Sequence, residues 1–349
     1  MTSASTRRVL STGHGVQRTP SHLHVSYVEP RTLPSLFHSV SAPKPMAVVS
    51  FGQPLPYDVS CPVIAPDLPQ IDGSPLIEVW TSDRPVHTST DERLSTAVNG
   101  EWLIGSLSLD EPPDQPLDAL TYEAYRTILR HLNDAGYPHL CRVWNYFPRI
   151  NDDQDGLERY RRFCVGRHRA LAESLPGFPG SLPAATAVGT QSGPLQIMFL
   201  ANTEPGAHLG NPRQMNAYEY PSEYGPRSPS FARATLCQSE QGTTLFIAGT
   251  ASVVGHASRH IGRPADQTRE SVCNILTVLE RAGAIGNADF LDEAGHPMYK
   301  VYVRDAGSLP EIRGALERSP LSSQLLLFLR GDLCRKELLV EIEGLIFSE

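Results

Sequence analysis

The chain ends in a run of strands and helices that decides its fold. The run opens with YKVYVRD (Tyr299–Asp305), whose valines and tyrosines predict a buried strand. A helix is predicted over Leu309–Ser319, and two more strands, SQLLLFLRG (Ser323–Gly331) and ELLVEIEGLIF (Glu337–Phe347), close the chain. Upstream of this run, Asp266–Ala282 has the apolar spacing of a helix, and the residues 244–254 before it predict a strand.

The same order of elements occurs earlier in the chain. The predicted elements are the strand Glu101–Leu109, the helix Leu117–Asn133, the strand His139–Phe147, the helix Leu157–Leu175 and the strands Ala185–Thr190 and Leu195–Asn202. Two such units roughly 145 residues apart are too distant for a solenoid repeat. We therefore predict an α/β (α+β) fold with a duplicated domain, in which each copy has a mixed β-sheet with helices on one face.

The predicted domains are residues 46–205 and residues 206–349. Residues 1–45 are rich in Ser, Thr, Pro, His and Arg, and their first acidic residue is Glu29. This composition predicts a flexible or loosely packed arm. An organellar transit peptide is the alternative, and the arm lacks the apolar core of a secretory signal.

Composition and charge narrow the function classes. The formal net charge is −8, which argues against nucleic acid or an anionic membrane as partner, and no apolar run is long enough for a membrane span. The six cysteines are spread singly, without a CxxC pair, so we expect a cytoplasmic protein without a zinc site. His256 and His260 stand four residues apart, but no acidic third ligand is near them. We expect no metal, no organic cofactor and no obligatory protein partner.

The segment KVYVRDAGSLPEI, followed by LLVEIEG, resembles the Rid superfamily of reactive-intermediate deaminases. The resemblance implies that small acids bind in clefts between neighbouring domains. In the first copy the corresponding strand is LQIMFLAN, with Met198 near the place where the second copy has Glu341. We therefore expect one working site per chain.

From about residue 76 onward the chain resembles the chorismatases, a family of enzymes that remove the enolpyruvyl group of chorismate. The blocks that carry this resemblance are RVWNY (142–146), ERYRRFCVGR (158–167), LPAATAVG (182–189), NPRQMNAYEYP (211–221), YGPRSPSFARA (224–234), GTASVVGHAS (249–258) and CRKELLVEIEG (334–344). The implied substrate has two carboxylates, and a planar guanidinium holds a carboxylate with two parallel hydrogen bonds. The resemblance assigns Arg167, Arg233, Tyr160 and Tyr220 to substrate binding.

The resemblance identifies Glu341 as the catalytic acid. Cleavage of an enol ether begins with protonation of its methylene carbon, so the acid must stay protonated near neutral pH. Strand alternation puts Glu341 and Glu343 on one face, with apolar neighbours between them. A glutamate among apolar groups favours its neutral form. Glu343 is the alternative candidate, and Glu341 as an ordinary edge-strand residue is the non-catalytic alternative.

Gly249 and Cys334 fall where the resemblance places the residues that decide the product. This pair resembles the members that form hydroxybenzoate and pyruvate, and 3-hydroxybenzoate is the expected product, although members that form both 3- and 4-hydroxybenzoate share the pair. A member that forms both 3- and 4-hydroxybenzoate and a hydrolytic member that forms a dihydroxycyclohexadiene carboxylate are the enzymatic alternatives. A Rid-like module that binds a small acid without turning it over is the non-enzymatic alternative, as is a buried inert thiol for Cys334.

Overall fold

The computed structural model describes residues 23–38, 43–55, 57–91, 93–239, 242–286, 290 and 297–348. Its first part is a four-stranded sheet in the order β1-β4-β2-β3. This N-terminal sheet consists of β1 (Leu23–Val28), β2 (Lys44–Ser50), β3 (Val63–Ile64) and β4 (Ile77–Ser82), with the short helix α1 (Leu33–His38) after β1.

Strand β1 corrects the predicted arm over residues 1–45. It pairs antiparallel with β4 along its whole length, and five of its six side chains are buried. Because its partner lies much later in the chain, the pairing leaves no signal in the local composition of the first residues. Residues 1–22 and 39–42 of the predicted arm lie outside the described residues.

The first copy of the repeated unit follows this sheet. Its elements are β5 (His87–Asp91), β6 (Leu94–Val98), β7 (Trp102–Leu109), α2 (Leu117–Asp134), β8 (His139–Pro148), the short hairpin β9 (Asp153–Gln154) and β10 (Leu157–Glu158), α3 (Arg159–Ser174), β11 (Ala184–Thr190) and β12 (Leu195–Asn202). The six longer strands form one sheet in the order β11-β8-β12-β7-β6-β5.

The second copy repeats these elements. They are β13 (Ala207–Leu209), β14 (Ala234–Ser239), β15 (Gly242–Ala251), the two-residue strands β16 (Val253–Val254) and β17 (Ala257–Ser258), α4 (Pro264–Gly286), β18 (Met298–Val303), α5 (Leu309–Glu317), β19 (Leu325–Arg330) and β20 (Val340–Ser348). Their sheet has the order β13-β14-β15-β20-β18-β19. Within the described parts of the chain, no helix has the length and apolar character needed to cross a membrane.

The two sheets have the same topology. In each, one parallel pair, β8–β11 or β18–β19, stands at one end, and the remaining neighbours are antiparallel. Counted from the parallel pair, the first sheet has the order β11-β8-β12-β7-β6-β5 and the second has the order β19-β18-β20-β15-β14-β13. Strands at the same place in these two orders also hold the same place within their copies of the unit. The predicted α/β fold with a duplicated unit is therefore confirmed. The domain boundary near residue 205 stays a prediction.

The helices cover the outer faces of the two sheets. In the first copy α2 and α3 pack on one face of their sheet around Phe147 and Phe199, and α4 and α5 do the same in the second copy around Val301 and Ile342. The inner faces of both sheets and of the N-terminal sheet share one core. This arrangement puts residues of the two copies face to face.

Two predicted boundaries differ from the structure near this shared region. The predicted helix Leu157–Leu175 begins at Arg159, because Leu157 and Glu158 pair with β9 instead. The predicted strand Glu337–Phe347 begins at Val340. The preceding residues form a turn, in which the Leu338 amide donates to the carbonyl of Arg335.

A candidate active site between the two copies

Glu341 lies in the middle of the second sheet. Strand β20 runs between β15 and β18, and Glu341 is paired opposite Ala251 and Tyr302. Glu341 is therefore not on an edge strand, as the non-catalytic alternative required. The side chain is 4% exposed, and burial together with the neighbouring Glu343 carboxylate raises the pKa of Glu341 to about 8. At neutral pH it is a carboxylic acid, which is the form that can donate a proton.

Glu343, two residues along the same strand, has a different environment. Its Oε2 accepts hydrogen bonds from Arg142 Nη2 at 2.7 Å and from the Thr186 hydroxyl at 2.6 Å, and its Oε1 accepts one from Trp144 Nε1 at 2.8 Å. Lys300 Nζ lies 3.1 Å from the same Oε1. Burial alone would raise the pKa of Glu343, but Lys300 and Arg142 hold it below its ordinary value. The two carboxyl groups thus differ in protonation at neutral pH.

A pocket of about 380 Å³ opens beside Glu341, between the two copies. Six of the seven predicted site residues line it: Tyr160, Tyr220, Arg233, Gly249, Cys334 and Glu341. Glu158, Tyr160 and Arg161 come from the first copy, and the other residues that line the pocket come from the second. A larger cavity of about 680 Å³ lies on the outer face of α2 and α3, away from Glu341. A choice of candidate site by cavity volume alone would therefore select a cavity that Glu341 does not line.

Arg233 and Tyr220 form one wall of this pocket. Arg233 Nη2 donates to the Tyr220 hydroxyl at 2.7 Å and to the carbonyl of Met215 at 2.9 Å. Both side chains are buried, and Arg233 Nε has no hydrogen-bond partner among the described residues. A buried guanidinium with a free N–H is suited to a carboxylate ligand.

Arg167 is the predicted site residue that does not line the pocket. It lies on α3, buried behind Tyr160, with its guanidinium against the rings of Tyr125 and Phe163 at 5.3 and 5.8 Å. Its Nε and Nη2 atoms have no hydrogen-bond partner among the described residues. Such a buried, unsatisfied cation is costly unless a ligand completes it. Its assignment to substrate binding stays a prediction.

Tyr160 lies between Arg167 and the pocket. Burial, with the thiols of Cys164 and Cys334 nearby, raises the pKa of Tyr160 well above its ordinary value. Its hydroxyl therefore stays protonated and can donate a hydrogen bond to a bound oxygen.

Gly249 is required by the position of Glu341 itself. It sits at an irregularity of β15 between Ile247 and Thr250, and its amide donates to the Thr186 hydroxyl at 3.0 Å. A Cβ atom built on Gly249 would come within 2.0 Å of Glu341 Oε1. The missing side chain of Gly249 therefore gives room to the Glu341 carboxyl.

Cys334 borders the pocket on the loop before β20. Burial and the Glu341 carboxyl raise the pKa of Cys334 to about 12, so it is a neutral thiol under ordinary conditions. A neutral thiol can occupy space and exclude water but is a poor nucleophile. Its catalytic role stays a prediction.

Sequence reasoning missed two other parts of the site. Arg335 stacks on Tyr224 with its guanidinium carbon 4.1 Å from the ring centroid, and both line the pocket. Thr186 connects Gly249 to Glu343 through its hydroxyl. Arg335, Tyr224 and Thr186 all lie inside the sequence blocks that carry the family resemblance, and this was the signal that could have identified them. Their contacts join segments far apart in the chain, so local sequence patterns did not show them.

The two histidines considered as metal ligands have other partners. His260 Nε2 lies 3.2 Å from Glu270 Oε2, and His256 Nδ1 lies 3.1 Å from the Tyr224 hydroxyl. Among the residues that the structure describes, no three His, Cys, Asp or Glu side chains are grouped to hold a metal ion.

Comparison with known proteins identifies relatives of this chain. The family described as "Chorismatase FkbO/Hyg5-like, N-terminal" matches residues 78–201. A 3-hydroxybenzoate synthase of Streptomyces hygroscopicus is 35% identical over 285 residues, which are 78% of this chain and 82% of the relative. A chorismatase of Streptomyces rapamycinicus is 32% identical, with 82% of this chain and 86% of the relative covered. A crystal structure of a chorismatase, 29% identical, covers 95% of this chain and 99% of its own with a TM-score of 0.81.

The matched residues include both copies of the duplicated unit, and the relatives are covered over most of their length. On these grounds the chain belongs to the chorismatase family.

Proposed function

We propose that this protein converts chorismate to 3-hydroxybenzoate and pyruvate. The observation that carries the proposal is Glu341, a buried carboxylic acid on the wall of a pocket that also contains Arg233. The relatives named 3-hydroxybenzoate synthase and chorismatase support the same substrate. The cytoplasm is the proposed location, because all six cysteines are free thiols.

Glu341 protonates the methylene carbon of the enolpyruvyl group, which leaves an oxocarbenium ion at the ether carbon. The ring's own hydroxyl then attacks the neighbouring ring carbon, the ether bond breaks, and pyruvate leaves. The ionised Glu341 takes up the hydroxyl proton, which regenerates the acid and leaves an epoxide across the two ring carbons. The epoxide then opens at the carbon that carried the hydroxyl. The attacked carbon keeps the oxygen and loses its hydrogen as a proton while the oxygen gains one, so the ring becomes aromatic as 3-hydroxybenzoate. No water enters, and the atoms of chorismate equal those of the two products.

The pocket supports this chemistry by orientation and by charge. Arg233 has a free N–H beside the Tyr220 hydroxyl, so a carboxylate there receives two donors. We assign Arg167, which does not line the pocket but has two free N–H groups behind Tyr160, to the second carboxylate. Two fixed carboxylates would hold the enol ether against Glu341 in one orientation.

The test is pyruvate release from chorismate, followed by coupling to lactate dehydrogenase. Glu341→Gln keeps the shape of the side chain but removes the proton, so kcat should fall at least about 100-fold with a modest change in KM. The matched control is Glu337→Gln at the rim of the same pocket, which should keep most of the activity. Near-normal turnover by Glu341→Gln would overturn the assignment. Binding of chorismate without any pyruvate would favour a Rid-like binding module.

The identity of the product is tested in H₂¹⁸O. If the ring hydroxyl is the nucleophile, the aromatic product carries no solvent oxygen, as mass spectrometry would show. A dihydrodiol as product would assign the chain to the hydrolytic type, and label in the ring would show that water had attacked the ring carbon in place of the hydroxyl. A mixture of 3- and 4-hydroxybenzoate would indicate two routes from one protonated intermediate.

A further inference from the structure

Four charged side chains meet in the core shared by the three sheets. They are Glu78 from β4 of the N-terminal sheet, Arg142 from β8 of the first copy, and Lys300 and Glu343 from β18 and β20 of the second copy. Each is at most 6% exposed. Burial of four charges costs free energy of folding unless each charge is paired. We therefore expect this cluster to have a role other than stabilising the fold.

The two cations of this cluster form ion pairs with its two carboxylates. Lys300 Nζ lies 2.8 Å from Glu78 Oε2 and 3.1 Å from Glu343 Oε1, and Arg142 Nη2 lies 2.7 Å from Glu343 Oε2. The carboxylates also accept hydrogen bonds from Tyr27, Trp80, Trp144 and Thr186. The cluster is therefore neutral and saturated without any other group.

Glu341 lies directly beside this neutral cluster. It is two residues from Glu343 on the same face of β20, a separation of about 7 Å along the strand. Within the described residues its carboxyl makes no ion pair. Arg142, Arg233 and Arg304 favour its ionised form, but burial and the Glu343 carboxylate outweigh them. The charged and titratable groups that face it from the surrounding elements are Arg142, Tyr160, Arg233, Tyr302, Arg304, Cys334 and Glu343.

A second contact joins the cluster to the catalytic carboxyl. The Thr186 hydroxyl donates to Glu343 Oε2 at 2.6 Å and accepts from Arg142 Nη2 at 2.6 Å and from the Gly249 amide at 3.0 Å. The backbone of Gly249 in turn lies against Glu341 Oε1. The ionised Glu343 thus holds, through one hydroxyl, the piece of β15 on which the Glu341 carboxyl rests.

We propose that the cluster of Glu78, Lys300, Glu343 and Arg142 is a positioning device for Glu341. It keeps Glu343 as the ionised member of the pair, so that the proton resides on Glu341. It also fixes the Gly249 backbone against which that carboxyl rests. The proposal rests on the proposed function for the role of Glu341 as proton donor.

The test changes the charge of the cluster and follows the pH profile of kcat. Glu343→Gln and Glu78→Gln each remove one negative charge and leave the cluster with a net positive charge. The high-pH limb of kcat, where Glu341 loses its proton, should move to lower pH by about one unit or more in Glu343→Gln, and by less in Glu78→Gln. Activity should recover at low pH. A purely structural role would lower kcat at every pH without moving the limb.

The matched control is the double variant Glu78→Gln with Lys300→Gln, which restores neutrality. Its high-pH limb should return toward that of the native protein. The proposal is overturned if neither single variant moves the limb, or if the double variant moves it as far as Glu78→Gln alone. If Glu343→Gln does not fold, as judged by circular dichroism, the Glu78 variants decide the question.

An infrared titration separates this proposal from the proposed function. The carbonyl stretch of a protonated carboxyl group that is present in the native protein and absent in Glu341→Gln reports the Glu341 proton without substrate. The pH at which that band disappears should fall in Glu343→Gln and Glu78→Gln. If the native protein released no pyruvate from chorismate, the proposed function would fail, and the infrared band would still test the charge balance.

Discussion

The clearest prediction is that Glu341 makes the protein less stable as the pH rises. In the unfolded chain Glu341 ionises near its ordinary pKa of 4.5, whereas in the folded protein burial and Glu343 raise the pKa to about 8. Between these values the folded state retains a proton that the unfolded state has released. The free energy of unfolding must therefore fall as the pH rises through this window.

The size of the effect follows from the displacement of the pKa. At about 1.4 kcal/mol for each pH unit, the full window corresponds to roughly 5 kcal/mol, and the range from pH 5.5 to 8 to about 3 kcal/mol. Glu341→Gln has no such proton. Its stability relative to the native protein should therefore rise by about 3 kcal/mol over that range.

Urea unfolding followed by circular dichroism, at constant ionic strength and several pH values, measures this difference. Glu173→Gln is the control, because Tyr122 and Arg169 hold the pKa of this exposed carboxyl below its ordinary value. Its carboxylate stays ionised in both states from pH 5.5 to 8, so its difference from the native protein should not vary with pH. A constant difference for Glu341→Gln as well would refute the assignment of a buried, protonated acid.

Two further predictions concern the rest of the pocket. Arg233→Ala and Arg167→Ala should each weaken the binding of a chorismate analogue by roughly 2–5 kcal/mol in calorimetry, because each removes a buried partner of a carboxylate; unchanged affinity in both would make the two arginines structural. Gly249→Ala should lower kcat at least about tenfold and raise the share of hydrolytic product, because the new methyl group occupies the place of Glu341 Oε1. A native rate and product ratio in Gly249→Ala would contradict this account of the glycine.

Local patterns predicted most of the fold. The strand Leu195–Asn202 has the predicted bounds, and helix α2 ends one residue beyond them, because period-2 and period-3.6 patterns depend on neighbouring residues. The N-terminal sheet escaped prediction. Its first strand, β1, becomes buried only by pairing with β4, which lies much later in the chain.

The sequence also predicted part of the candidate site. The alternation of β20 indicated that Glu341 and Glu343 share a face, and the family resemblance selected Glu341. What separates the two carboxyls is the contact of Glu343 with Lys300 on the neighbouring strand β18 and with Arg142, which lies on the other copy of the unit. A partner two hundred residues away leaves no trace in local spacing, so the division of protonation between the two glutamates had to come from the structure.

The duplicated unit has a consequence for symmetry. In an assembly of identical single-unit chains, every cleft would carry the same side chains, and a substitution in one would be a substitution in all. Here β12 and β20 are separate parts of one chain. Met198 on β12 can therefore pack into the shared core beside Trp144, while β20 retains two glutamates. Strand β20 can carry two glutamates because the corresponding strand β12 has its own sequence and does not have to carry them as well.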